Sequence, residues 1–399
     1  MTLQDKKSKL KVSLVVSDLS SAGAGRWGGG VRSFLLAQAL QKLNYQVEIL
    51  GFVFGEEAGA ISQTAIPISS FRGYQYPQFL LSASQLLKKL DGDIIYAMRP
   101  KPTTFGLSLL QQLKTRQPII LDIDDWEMSW YGGSDKWQYR PSPKQFYRDI
   151  FKGDGALRYP DHPFYLKMVE GMVQKANAIT IHTNFLKERF GGIYLPNGKD
   201  TDLFNPDSYE PEECRAYYGL SGYRILMFPG APRPYKGVED VLMALDILDE
   251  PDLKLVIVGG SPYDDYDAQL IEKWGRWIIK LPKYPSTEMP KVVAAAHVIV
   301  VPQRNTPAAL AQFPLKLTDG MAMAKPILAT KVGDIPDILD ETAYLVEPAC
   351  PEEIAAQIKL IFQDLDAANE RGIKARERCV EKYSIEAMAS TLNSVIARL

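Results

Sequence analysis

What most constrains this chain is an alternation of short β-branched runs with amphipathic stretches, repeated from one end of its 399 residues to the other. Such a rhythm marks a parallel α/β sheet, whose strands are buried on both faces and joined by helical crossovers. In the first half, strands are expected at 11–17, 46–51, 93–96, 118–122 and 178–182. A helix fits 31–43, where Phe34, Leu35, Ala39 and Leu43 fall at helical spacing. The pattern then restarts, with strands at 224–228, 254–258, 297–301, 326–329 and 343–346. After Gly237, a helix places Val238, Val241, Leu242 and Leu245 on one face. The chain is too long for one ordinary core. It therefore reads as two Rossmann-like domains facing across a cleft, where such sheets bind ligands at the carboxyl ends of their strands. The turn-rich stretch 195–207 reads as the linker. Domain boundaries are expected at 1–200 and 201–382, with an amphipathic helix in 383–399.

Composition narrows the partners. A net charge of −2 supplies no general attraction to nucleic acid or anionic surfaces. The three cysteines, Cys214, Cys350 and Cys379, are scattered without metal-ligand spacing and suit a reducing compartment. Residues 1–10 are polar and lysine-rich, and no apolar run reaches the length of a membrane span. The expectation is a cytoplasmic protein, at most peripheral at the inner face of a membrane. His162, His182 and His297 show no metal spacing; structural roles are expected for the last two, and a place near the acceptor for His162 in the aromatic insert.

One segment breaks the rhythm. From 126 to 167 there is no convincing strand, yet eleven aromatic residues crowd together, interleaved with Lys136, Arg140, Lys144, Arg148, Lys152 and Arg158. An insert this aromatic is either a small satellite core or a wall for an acceptor or a membrane surface.

The chemistry concentrates in three elements. In Phe228-Pro-Gly-Ala-Pro-Arg-Pro-Tyr-Lys-Gly, a strand ends at Gly230 and a helix opens after Gly237, with Arg233 and Lys236 on the loop between. Backbone N–H groups, the helix dipole and two cations favour phosphate there. The strand end Val256-Ile-Val-Gly-Gly260 lets a ligand approach the backbone at Gly259. In Pro314-Leu-Lys-Leu-Thr-Asp-Gly-Met-Ala, Asp319 can accept hydrogen bonds from vicinal ribose hydroxyls.

In this order and spacing, the three elements resemble the donor domain of family-4 retaining glycosyltransferases. The linker Pro196-Asn-Gly-Lys-Asp-Thr-Asp-Leu-Phe and the helix opening Gly28-Gly-Gly-Val-Arg32 are similar to the same family. The resemblance implies the GT-B fold, a nucleotide sugar bound mainly by the C-terminal domain, acceptor binding by the N-terminal one, and a last helix crossing back to it. It assigns Lys236 to the diphosphate, Asp319 to the ribose, and the Gly29–Gly30 turn to the donor phosphates. Gly230, Gly259 and Lys316 line the donor in the same reading, and Asp125, Trp126 and Glu127 the acceptor. It further implies leaving-group departure helped by Lys236 and Arg233, retention of configuration, and no metal or other cofactor beyond the nucleotide sugar. The acceptor is a carbohydrate, lipid-linked or small-molecule hydroxyl.

Three departures from the family pattern matter. Ala311 stands where a glutamate commonly reads the donor sugar, which leaves that task to backbone N–H groups near Gln312 and Phe313 or to another side chain. Ala231 replaces an arginine, and Arg233 is the substitute within reach. Asp124, in Asp122-Ile-Asp-Asp-Trp-Glu127, stands near the position of a histidine and could orient the acceptor hydroxyl or take its proton. Rival readings are a GT-B epimerase or phosphorylase, a non-catalytic sugar-nucleotide binder, and a metal-dependent phosphatase built on the Asp-x-Asp of Asp122 and Asp124.

Overall fold

The computed structural model describes residues 10–20, 30–55, 66–260 and 264–399. They divide into two compact units, Met1–Pro196 with Met388–Leu399, and Asn197–Ala387. Strands of the first unit are β1 (Lys11–Val16), β2 (Gln46–Val53), β3 (Ile68–Arg72), β4 (Ile94–Met98), β5 (Ile119–Ile123), β6 (Ala178–Ile181) and β7 (Ile193–Tyr194). They pair in the order β3-β2-β1-β4-β5-β6-β7, every pair parallel. The second unit contributes β8 (Arg224–Pro229), β9 (Leu253–Val258), β10 (Ile278–Leu281), β11 (Val298–Val301), β12 (Ile327–Thr330) and β13 (Tyr344–Val346). Their order, β10-β9-β8-β11-β12-β13, is again parallel throughout.

Both sheets have the Rossmann order 3-2-1-4-5-6. The order reverses between β1 and β4, and again between β8 and β11, and a crevice forms outside the carboxyl ends of such strands. Each sheet is covered on both faces, which is why its central strands are continuous apolar runs. In β8, Ile225 and Met227 enter one apolar cluster while Leu226 and Phe228 enter another on the opposite face. The ten strands expected from sequence are all present, with ends shifted by a few residues. Three more appear at sheet edges: β3, β7 and β10. Their residues are mostly half-buried or exposed, so they lack the apolar run that marks a central strand.

Between β5 and β6 the insert forms no strand, only the short helices Glu127–Tyr131, Pro143–Phe151, Ala156–Arg158 and Pro163–Glu170, with a last turn at Val173–Lys175. Part of its aromatic content is indeed a satellite core. Tyr139 lies 5.8 Å from the ring of His162 and 5.7 Å from Phe164, and Tyr165 reaches Tyr76 at 5.9 Å. His162 Nδ1 accepts the Phe164 amide at 3.2 Å and caps its helix, a structural role.

The chain passes between units at 196/197 and again at 387/388. The second passage lies within the helix Ile385–Ile396, which buries Met388, Ala389, Leu392 and Val395. Inside the second unit the approaches to both passages are tied together: the Lys199 amide donates to the Tyr383 carbonyl at 2.7 Å, and the Ile385 amide to the Lys199 carbonyl at 3.0 Å.

Candidate functional site

In the second unit, the expected donor residues gather at the carboxyl ends of the central strands. Gly230 (φ 124°) and Gly259 (φ 87°), after β8 and β9, take conformations that only glycine adopts readily, and a side chain on either would meet nothing within 4 Å. Above the strand ends there is thus room for a ligand to approach the backbone. After β8 the chain makes a tight turn, Pro234–Lys236, and enters the helix Val238–Leu248 through Gly237 at φ 66°. The acidic first turn of that helix is occupied by Arg304, which holds Asp240 at 2.7 and 2.9 Å and Glu239 at 3.0 Å. The same residue donates its amide to the Tyr235 carbonyl at 2.9 Å, stapling the loop in place.

Two lysines converge on this loop. Lys236 donates to the Ala231 carbonyl at 2.8 Å; burial, then Lys316 and Arg233, drive its ammonium well below the usual lysine range. Lys316 is buried in the helix Leu315–Ala322, 4.5 Å from the centre of the Phe228 ring. Burial lowers it to about 8 against the pull of Asp319. Desolvated ammonium groups so close together are costly unless an anion joins them. Arg233 pairs with Asp264. Gln312 accepts the Tyr235 hydroxyl at 3.1 Å, Phe313 is buried against Tyr383, and Ala311 is fully buried. Asp319 forms an ion pair with Lys199, whose ammonium also sits 3.3 Å above the Phe204 ring.

In the first unit, Gly29 lies outside the described residues, and Gly30 opens the helix Gly30–Lys42. Arg32 of that helix is buried and grips Asp122 at the end of β5 with two hydrogen bonds, 2.6 and 2.8 Å, and the Leu195 carbonyl with a third at 2.9 Å. Arg99, after β4, adopts φ 66°, a strained conformation for a non-glycine residue, and becomes the hub of a buried ionic cluster. It binds Asp124 at 2.6 and 3.3 Å and Glu127 at 2.8 Å, while Asp125 stands 3.6 Å away. Lys101 reaches Glu127 at 3.2 Å and Asp161 at 3.9 Å. Despite its burial, Asp124 is held below the usual carboxylate range by Arg99, so it is a poor proton acceptor. Its neighbour Asp125 is pushed by burial up to about 6 and receives the Trp130 indole N–H at 3.3 Å. Trp126 does not offer an open face: Arg189 covers its ring at 3.9 Å and its indole N–H binds Glu170 at 3.1 Å.

The phosphatase reading fails on this geometry. Asp122 and Asp124 are turned to two different arginines, and Asp122, which would be the nucleophile, is fully buried under Arg32 and the Thr180 hydroxyl at 2.7 Å. Arg99, Lys101, Asp161 and Lys199 were missed from sequence as site residues. The one local signal for the first two is their place directly after an apolar strand beside the switch point.

Residues 223–364 match the sequence profile of the family described as glycosyl transferases group 1. Among curated relatives, the GDP-mannose-dependent alpha-(1-6)-phosphatidylinositol monomannoside mannosyltransferase of Mycolicibacterium smegmatis is 25% identical over 56% of this chain and 62% of its own length. The N-acetyl-alpha-D-glucosaminyl L-malate synthase of Bacillus anthracis is 26% identical over 97% of each chain. For several relatives the matched region is only 52% to 62% of their length. Among solved structures, Anabaena HepE in complex with UDP-glucose superimposes over 98% of this chain and 100% of its own, with a TM-score of 0.73 and 16% identity. The profile match over 223–364 and these relatives support the resemblance to family-4 glycosyltransferases, and the chain has the GT-B fold of its structural neighbours.

Proposed function

We propose that this protein transfers a sugar from a nucleotide-diphosphate sugar to an acceptor hydroxyl, with retention of anomeric configuration. The observation that carries the reading is the pair of desolvated ammonium groups, Lys236 and Lys316, beside Asp319 at the switch point of the second sheet. A diphosphate supplies the negative charge that this cradle lacks, and the Asp319 carboxylate accepts the ribose hydroxyls in exchange for part of its contact with Lys199. As the bond from the anomeric carbon to the diphosphate breaks, charge builds on the leaving oxygen, and Lys236, Lys316 and Arg233 stabilise it without a metal. The acceptor oxygen bonds to the anomeric carbon from the same face and gives its proton to a donor phosphate oxygen. Asp124, neutralised by Arg99, is assigned to hold the cluster rather than to take that proton; Asp125 is the carboxylate suited to orient the acceptor. Acceptors are a carbohydrate, a lipid-linked glycan or a small molecule, and the reading includes peripheral contact with a membrane surface.

Incubation with a panel of nucleotide sugars tests this directly. Wild-type protein should release nucleoside diphosphate in step with glycosylated product, and Lys236→Ala should lower the rate roughly 100-fold or more. Wild-type turnover in the variant would remove Lys236 from the mechanism. An isomerised or phosphorolysed sugar in place of a transferred one would favour an epimerase or phosphorylase.

A further inference from the structure

The helix Pro143–Phe151 of the insert faces the wrong way for a helix of a water-facing domain. It starts as its sequence dictates, with the Ser142 hydroxyl accepting the Gln145 amide at 3.2 Å and Pro143 in the first turn. At about 100° per residue, Phe146, Tyr147, Ile150 and Phe151 share one face roughly 140° wide, and Gln145 and Asp149 lie across from it. Surface helices bury the apolar face, but here the single buried residue is polar, and Gln145 beside it is exposed. Asp149, 4% exposed, is the one buried residue of the helix, and its carboxylate accepts the Tyr139 hydroxyl at 2.5 Å and the Gln145 side-chain Nε2–H at 2.7 Å. The apolar face points outward, with Phe146 47%, Tyr147 60%, Ile150 36% and Phe151 66% exposed.

The charge beside that face has one sign. Lys136, Arg140, Lys144, Arg148 and Lys152 recur every fourth residue and are all exposed. Between 136 and 152 the only acid is the buried Asp149, so five basic residues less one acid give this segment +4 within a chain of net charge −2. Arg148 meets one exposed acid, Asp154, at 2.7 Å. Along the helix, Lys144 borders the apolar face about 20° beyond Phe151 and Arg148 follows about 60° beyond it, while Lys152, which ends the helix, turns to the far side. Aromatic and aliphatic tips flanked by cationic side chains are the composition of a helix lying in the plane of a membrane interface.

We infer that the helix Pro143–Phe151 docks this protein on an anionic lipid surface, with Phe146, Tyr147, Ile150 and Phe151 entering the headgroup boundary and Lys144 and Arg148 meeting lipid phosphates. The inference rests on the peripheral-membrane part of the proposed function and locates it. The charge complementarity selects lipid over an uncharged apolar partner, because each lysine or arginine near an anionic surface adds to binding and is screened by salt.

The full chain is tested by co-sedimentation with vesicles of phosphatidylcholine alone and of phosphatidylcholine mixed with phosphatidylglycerol. Wild-type protein should sediment with the mixed vesicles, and high salt should release it. Two double variants change exposed residues only: Phe146→Ser with Phe151→Ser, and Lys144→Glu with Arg148→Glu. Each should weaken partitioning roughly tenfold or more. Their thermal stabilisation by nucleoside diphosphate should match wild type, which reports the donor site separately. Wild type that ignores anionic vesicles overturns the inference and the membrane part of the reading, while leaving sugar transfer standing. Variants that bind as wild type show that another surface docks. A shift from dimer to monomer in the Phe146→Ser, Phe151→Ser variant, without vesicle binding by wild type, would assign the face to a second copy instead.

Discussion

The lysines of the second unit show how a binding site is written into charge. An exposed lysine costs nothing to keep ionised, whereas Lys316 is buried and Lys236, half-buried, is further opposed by the charge of Lys316. Their proton affinity is therefore low until an anion arrives. Lys316, at about 8 without ligand, is mostly charged below that pH and mostly neutral above it. A bound diphosphate raises its pKa, so binding should take up protons near pH 8, and affinity should fall as pH rises beyond it. Calorimetry in buffers of different ionisation enthalpy measures the exchange; binding without proton uptake would mean that the phosphates sit elsewhere. His297 has the same physics with a structural purpose. Burial, with Arg215 and Lys325 nearby, lowers it to about 4, and its neutral Nδ1 accepts the Ile225 amide at 3.0 Å. Because the unfolded chain binds a proton there near 6.5 and the folded one does not, stability should fall as pH drops from 6.5 towards 4. A thermal melt series should show this in wild type and less of it in His297→Asn. Lys236, Lys316 and Asp319 were legible in sequence because each sits at fixed spacing from a strand end. The Arg99 cluster was not, since its members come from separate loops and only the strand order brings 99, 124 and 161 together.

At the scale of elements, the loop between β8 and its helix is set by contacts with its neighbours as much as by its own sequence. Gly237 has φ 66°, and a side chain there would collide with the Pro302 carbonyl at the end of β11. The turn that presents Lys236 is thus pressed against the adjacent strand end. Gly237→Ala should destabilise the protein by about 1–3 kcal/mol in urea unfolding and weaken donor binding as well. Full stability with unchanged affinity would show that the loop can be rebuilt without cost. Central strands such as β8 and β11 could be read from sequence because burial on both faces demands unbroken apolar runs. The edge strands β3, β7 and β10 could not, since half of each meets solvent and its pairing is decided by what lies beside it. In the helix Pro143–Phe151 the buried residue is Asp149, a choice set by where its carboxylate found the Tyr139 hydroxyl and not by the apolar pattern.

For the whole molecule, the division into two units has a thermodynamic signature. The residues proposed to cradle the donor, Lys199, Lys236, Lys316 and Asp319, all fall within Asn197–Ala387. Scanning calorimetry should show a nucleoside diphosphate raising the transition of that unit, by about 2.7 kcal/mol at a hundredfold excess over Kd. If no transition moves, the assignment of the cradle falls. The return of residues 388–399 to the first unit also bears on how the protein is made. On the ribosome, the first sheet is synthesised early, but the helix that buries Leu392 and Val395 emerges only after all of the second unit. At 5–20 residues per second, that leaves the surface awaiting this helix uncovered for roughly ten to forty seconds. During that interval the nascent chain is a substrate for chaperones, and the first unit reaches its final form only after the second has been translated.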